Sequence, residues 1–249
     1  MRAIDERYKQ ATGLSSRPYY KIFYSHIHEF PLLVLGQNPG GETDGTDLVA
    51  SEGYFENWEH DYVCFRHNSR YALALPICQL LASALNTDST ESLRQVPATN
   101  VIFRRSRNTN SLNLSPTKAA AEAEPFLSEI VGLVGPAAVL LISKMAYDLF
   151  TKFHCLPGSV VEETESRILT PNGRSNACIY QSAVGFVTTL GRATPLLMVG
   201  HPSKYSSRIE WPSVMEALSR ALKDLGISPI ESTGVRKKIP EAAGYGPAI

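Results

Sequence analysis

Three things are missing from this sequence, and each absence narrows what the chain can be. It has no excess of either charge. With 24 lysines and arginines against 24 aspartates and glutamates, a nucleic-acid partner is not announced by the overall balance and would have to be met by a local basic patch. No stretch approaches the ~20 apolar residues of a membrane span, and the first residues, with Asp5 and Glu6 and no apolar core, do not read as a secretory signal. A cytoplasmic protein with no membrane partner is the expectation. The third absence is of paired cysteines: Cys64, Cys78, Cys155 and Cys178 are scattered without a Cys-x-x-Cys motif. That argues against a zinc ribbon or an iron–sulfur cluster and for reduced, mostly buried thiols.

What is present is enough apolar residue for a full core. The chain has 249 residues, 43% hydrophobic and 19% charged, which suits one domain over residues 1–230. Residues 1–30 carry Tyr8, Tyr19, Tyr20, Phe23, Tyr24 and Phe30 and read as an amphipathic segment packed on that domain. His26-Ile27-His28 has metal-ligand spacing but no third ligand in view, so a packed segment and no metal is the reading. From residue 231 onward the chain is rich in glycine, proline, alanine and charge, with Arg236, Lys237 and Lys238 together, which predicts a flexible tail.

Four short apolar runs alternate with helical patterns. Leu32, Leu33, Val34 and Leu35 form a strand too brief for a helix, stopped by Gly36, Pro39, Gly40 and Gly41. Residues 70–85 have helical spacing, with Asn86 as a stop; 98–103 is a second strand, and 116–134 a helix in which Pro125 predicts a kink or a break. Residues 137–143 are a third strand and 144–153 a helix. Residues 155–187 look like a less regular insertion, with Pro171-Asn172-Gly173 able to turn a hairpin. Residues 195–199 are a fourth strand and 210–225 a closing helix. The rhythm predicts an α/β fold with a central, mostly parallel four-stranded sheet covered on both faces.

In such sheets, ligands bind beyond the carboxyl ends of the strands. The unusual polar residues fall there: Gln37 and Asn38 after the first strand, Asn100 and Arg104 to Asn108 at or past the second, His201 and Ser203 after the fourth. Any one of these is compatible with an ordinary turn. Their convergence on one rim points to a site with amides, a histidine and a hydroxyl but no nucleophile–base pair. Amides read the edge of a base through complementary hydrogen bonds, an aromatic can stack on its face, and a histidine can stabilise charge on a leaving group. The long segment 42–69, dotted with Tyr54, Phe55, Trp58, Tyr62 and Phe65, is placed to cover that site.

Gly36-Gln37-Asn38-Pro39-Gly40 and His201-Pro202-Ser203 resemble the first and last motifs of the uracil-DNA glycosylase superfamily. Thr99-Asn100-Val101, Arg104 to Asn108, Pro125-Phe126-Leu127 and Val139-Leu140-Leu141 resemble its intervening segments, in the right order, so that the similarity spans about residues 31–206. The resemblance implies a three-layer α/β/α sandwich and a DNA-repair glycosylase, hydrolysing the bond between deoxyribose and a flipped uracil or related damaged pyrimidine. It implies DNA as partner, with no cofactor and no metal.

By that resemblance, Asn38 positions the attacking water and His201 stabilises the departing base anion through its O2. Gly36, Gln37 (through its backbone N–H), Asn100 and Phe65 form the base pocket, with Asn100 reading the uracil edge and Phe65 stacking, Tyr71 in reserve. Ser203 and Lys204 face phosphate, and Tyr205 stands where relatives insert a side chain into the emptied stack. Arg104, Arg105, Arg107 and Arg208 are candidates for the basic patch. Gly40 stands where the most uracil-selective branch has a tyrosine, as in the mismatch-specific and single-strand-selective branches, so discrimination against 5-substituted pyrimidines is not implied. The alternative is a catalytically inactive member of the superfamily that binds nucleic acid or a free nucleotide.

Overall fold

The computed structural model describes residues 1–14, 19–40, 60–67, 73–106, 112–169, 176–205, 207–208 and 210–227. The expectations for the tail, for most of segment 42–69, for the 171–173 turn, and for Tyr71, Arg107 and Asn108 lie outside these residues, as does the side chain of Ser203.

In chain order the first elements are α1 (Arg2–Thr12), β1 (Leu32–Gly36), α2 (Asp61–Cys64), α3 (Ala74–Ala84), α4 (Thr90–Arg94) and β2 (Ala98–Asn100). There follow α5 (Pro116–Val134), β3 (Ala138–Ile142), α6 (Lys144–His154), β4 (Val161–Leu169) and β5 (Asn176–Val187). A 3-10 turn at Thr188–Leu190 leads to β6 (Arg192–Val199), α7 (Pro202–Tyr205) and α8 (Trp211–Asp224).

The sheet has six strands in the order β2-β1-β3-β6-β5-β4. This corrects the expected four. The four anticipated strands are present and mutually parallel, β1 lying between β2 and β3 and β6 beyond β3. The supposed insertion supplies the other two: β4 and β5 form an antiparallel hairpin, and β5 adds antiparallel to β6. The reason is compositional. Residues 161–167 of β4 are all exposed, so this edge strand lacks the apolar run by which a buried parallel strand is recognised. Leu32, Leu33, Val34 and Leu35 of β1, by contrast, are fully buried, each side chain contributing about 1.5–3 kcal/mol by leaving water.

The helices fall into two groups by contact: α3 touches α2, α4, α7 and α8, whereas α5 touches α1 and α6. Right-handed crossovers place the β1-to-β2 connection and the β2-to-β3 connection on opposite faces, since they run in opposite directions along the sheet. The grouping is consistent with helical layers on both faces. At the end of α3, Asn86 adopts φ 48°, the left-handed stop expected of it.

α5 runs through Pro125 without the break into two shorter helices that the sequence allowed. Pro125 and Ala121, whose carbonyl loses its partner to the proline, both lie on the exposed side, where water can satisfy that carbonyl. Ser115 caps the helix start by accepting from the Lys118 N–H, and Gly135 ends it at φ 57°.

The N-terminal segment does pack on the core, through Ile4, Tyr8, Tyr20, Ile22, Phe23 and Tyr24. A buried ion pair fastens it: Lys21 meets Asp61 with both side chains about 3% exposed, and Asp61 N–H donates to the Tyr24 carbonyl at 2.8 Å. The four thiols are free; Cys78 and Cys155 are buried, Cys178 is half-buried and Cys64 is exposed. Among the described residues, no helix is long and apolar enough to cross a membrane.

Candidate base-recognition site

The carboxyl ends of the parallel strands line up as the sequence suggested. Gly36 and Asn100 are register partners at the ends of β1 and β2. Past this point the chain does not continue as the predicted strand to residue 103. Instead Val101 and Ile102 donate to the Gly36 and Gln37 carbonyls, each at 2.9 Å, and Ser106 N–H donates to the Pro39 carbonyl at 3.1 Å. The segment after β2 is thereby laced along the Gly36–Gly40 turn.

Gly36 is there for space. A Cβ at this position would stand 2.2 Å from Asn100 Oδ1, 3.3 Å from its Cγ and 3.6 Å from the Tyr62 hydroxyl. Asn100 is 2% exposed, and its Nδ2 has no hydrogen-bond partner among the described residues. A buried amide donor left unmatched costs about 1–3 kcal/mol and calls for an explanation, of which an absent ligand is one.

Asn38 is held on all sides. Its Nδ2 donates to the Pro39 carbonyl at 3.0 Å and to Ser106 Oγ at 2.9 Å, while its Oδ1 accepts from Gln37 Nε2 at 3.2 Å. Gln37 Oε1 in turn accepts from Ser143 Oγ at 3.5 Å. Ser143 ends β3 and caps α6, its Oγ accepting from the Ala146 N–H at 3.2 Å. Its backbone, at φ 114° and ψ 152°, lies in a region that glycine normally monopolises.

His201 follows Gly200 at the end of β6, two strands from β1 and so about 10 Å across the rim by strand spacing. Burial, and then the charge of Lys204, lowers its pKa. The imidazole is thus neutral near neutral pH and offers one N–H as a donor.

The remaining expected residues separate into two sets. Phe65 caps the end of α2, its N–H donating to the Asp61 carbonyl at 2.9 Å, and its ring is partly buried against the core one helical turn from Tyr62. Lys204 is exposed and Arg208 half-buried, and neither forms an ion pair with any described residue. The other set is committed elsewhere. Arg104 grips Glu122 with two hydrogen bonds, at 2.9 and 2.7 Å, and Glu122 also accepts from the Tyr8 hydroxyl at 2.6 Å. Arg105 is buried, with Nη1 donating to the Gly40 carbonyl at 3.2 Å. These two arginines therefore brace the fold instead of forming an exposed basic patch. Tyr205 does not stand out as a wedge either: its ring rests on Gly200, where a Cβ would meet it at 2.7 Å.

Sequence reasoning passed over three residues of this rim. Tyr62 was noted only as one aromatic of a covering segment, and Ser106 only as part of a basic string. Nothing in the sequence marks Ser143, because its significance lies in a backbone angle and a neighbour 106 positions away. No family model matches the chain, and a search of curated proteins finds no match.

Proposed function

We propose that this protein is a DNA-repair glycosylase that removes uracil or a related damaged pyrimidine flipped out of DNA. The observation that carries this reading is Asn100. Its buried Nδ2, unmatched among the described residues and set at a strand end where Gly36 makes room for the amide, is suited to the carbonyl of a base edge, on the same rim as Asn38 and His201. The superfamily resemblance of the three loops supports it independently.

The chemistry follows from the side chains. The bond between C1′ and N1 breaks with its electron pair going to the base, giving an oxocarbenium-like sugar. The neutral His201 N–H donates to the base O2, where the negative charge collects. Water held by Asn38 adds to C1′ and loses its proton to solvent, leaving an abasic site. An amide has no useful proton affinity, so Asn38 orients water without acting as a base. Phe65 stacks on the base, and Ser203, Lys204 and Arg208 receive the phosphates. The route needs no cofactor.

The second reading is a non-catalytic binder of nucleic acid or a free nucleotide, and one observation favours its free-nucleotide form: Arg104 and Arg105 are engaged internally, which reduces the charge available to grip DNA. Purified protein incubated with single- and double-stranded oligonucleotides containing uracil, with abasic sites scored after alkali, separates the two. Cleavage is expected on at least one substrate. No cleavage on any, together with Asn100-dependent binding of deoxyuridine monophosphate, would leave the second reading standing.

A further inference from the structure

Hydrogen-bond direction around Asn38 is determined at the Pro39 carbonyl and is compatible with the contacts at Ser143. The Pro39 carbonyl can only accept, so the atom facing it at 3.0 Å is Nδ2. At the other end, Ser143 Oγ accepts the Ala146 N–H as the cap of α6 and has its own proton to give to Gln37 Oε1. Gln37 therefore presents Nε2 to Asn38 Oδ1. The Pro39 end sets the orientation of both amides, and the Ser143 end is compatible with it.

The consequence concerns the water. Both Asn38 amide protons are used, one on Pro39 and one on Ser106, while Oδ1 accepts one hydrogen bond and keeps a second lone pair. A water bound there must donate its proton to Asn38, and its own lone pair stays available to attack. The flipped amide would do the opposite, donating to the water, tying up one of its two lone pairs and drawing electron density from the attacking oxygen.

We infer that Ser106 and Ser143 are positioning residues that keep Asn38 an acceptor only, an inference resting on the glycosylase reading above. Ser106 has the larger part. It is 3% exposed, it is pinned by its own N–H to the Pro39 carbonyl, and its hydroxyl proton is committed to no described residue. The hydroxyl can therefore reverse from accepting to donating. A carboxylate at position 38 would receive hydrogen bonds from Ser106 Oγ and Gln37 Nε2, opposed only by the Pro39 carbonyl. Ser143 holds the far end at the expense of a backbone conformation that glycine would adopt without strain.

The test uses the full chain. Ser106→Ala lowers kcat on a uracil oligonucleotide about 10- to 100-fold, the range for a misplaced reacting group, with KM within about twofold, and Ser106→Thr restores most of it. Asn38→Asp raises kcat and introduces an acid limb in the pH–rate profile; adding Ser106→Ala moves that limb to higher pH, because the carboxylate loses a donor. A structural role alone would not move the limb. A readout free of turnover is the NMR signal of the Asn38 side-chain amide, with two slowly exchanging protons in the wild type and one in Ser106→Ala. Absence of cleavage by the wild type would overturn the glycosylase reading, whereas unchanged Asn38 amide protons in Ser106→Ala would overturn this inference whatever the activity. An unchanged kcat in an active Ser106→Ala enzyme would overturn it as well.

Discussion

Gly36 and Asn100 share one volume: the space a side chain on residue 36 would need is filled by Asn100 Oδ1, 2.2 Å from where a Cβ would sit. Gly36→Ala must push the Asn100 amide aside, and the amide is a short, buried group with little room to yield. Turnover on uracil is expected to fall about 100-fold, with a stability cost of about 1–3 kcal/mol for the overpacking. Parallel kinetic and urea-unfolding measurements check this. Loss of stability with full activity would separate Asn100 from base recognition.

Asn100→Asp exchanges the unmatched donor for an acceptor. Uracil excision should weaken while cytosine, which presents an amino donor on the same edge, is relatively favoured. Competition between uracil- and cytosine-containing oligonucleotides measures the ratio, and equal loss on both would contradict an edge-reading role.

His201→Ala removes the donor proposed to meet charge on the leaving base. A decrease in kcat of about two to three orders of magnitude is expected, the range for losing one donor to a developing anion. Single-turnover kinetics isolates the step, and unchanged turnover would take His201 out of the mechanism.

The buried Lys21–Asp61 pair fastens the N-terminal segment to the start of α2, near Tyr62. Asp61→Asn strands a buried ammonium whose pKa is already lowered by burial, and should cost about 3–5 kcal/mol. Replacing both partners, as Lys21→Met with Asp61→Leu, should recover most of that loss. Chemical denaturation of the two variants decides; equal destabilisation would mean that packing, and not the stranded charge, sets the penalty.

Stability should fall on mild acidification. His60 and His154 are buried and neutral, burial lowering each pKa from 6.5 to about 4. The unfolded chain takes up these protons more readily than the folded one, so their contribution is complete above pH 6.5 and is lost as pH falls toward about 4. A shift of that size corresponds to about 3 kcal/mol per histidine. Urea unfolding across this range should show the decline, and His154→Gln should make its slope shallower.

Much of the framework was legible before any coordinates. The runs 32–35 and 138–142 are apolar at every position because central parallel strands are buried on both faces, and such runs are visible without an alignment. The strand ends then located Gln37, Asn38, Asn100 and His201 on one rim. The β4–β5 hairpin was not legible, since β4 has no continuous apolar run, its residues 161–167 being exposed, and is held by backbone pairing to β5. Nor was the fate of the arginines: Arg104 has the same composition-level meaning whether it faces phosphate or Glu122, and only the packing of α5 beside it selects the latter.

By itself the sequence determined the order of the four parallel strands and of the longer helices that alternate with them, and which polar residues stand at those strand ends, because hydrophobic period and glycine or proline stops are local properties. The tertiary structure alone decided how those residues are used. Whether Asn38 offers an oxygen or an amide proton depends on Ser143, Ser106 and the Pro39 carbonyl, and two of these come from elements far along the chain. Whether Asn100 fits at the end of β2 depends on the missing side chain at Gly36 across the ladder, whose place its own Oδ1 takes. Hydrogen-bond direction and shared volume belong to three-dimensional neighbours, and no local pattern encodes them.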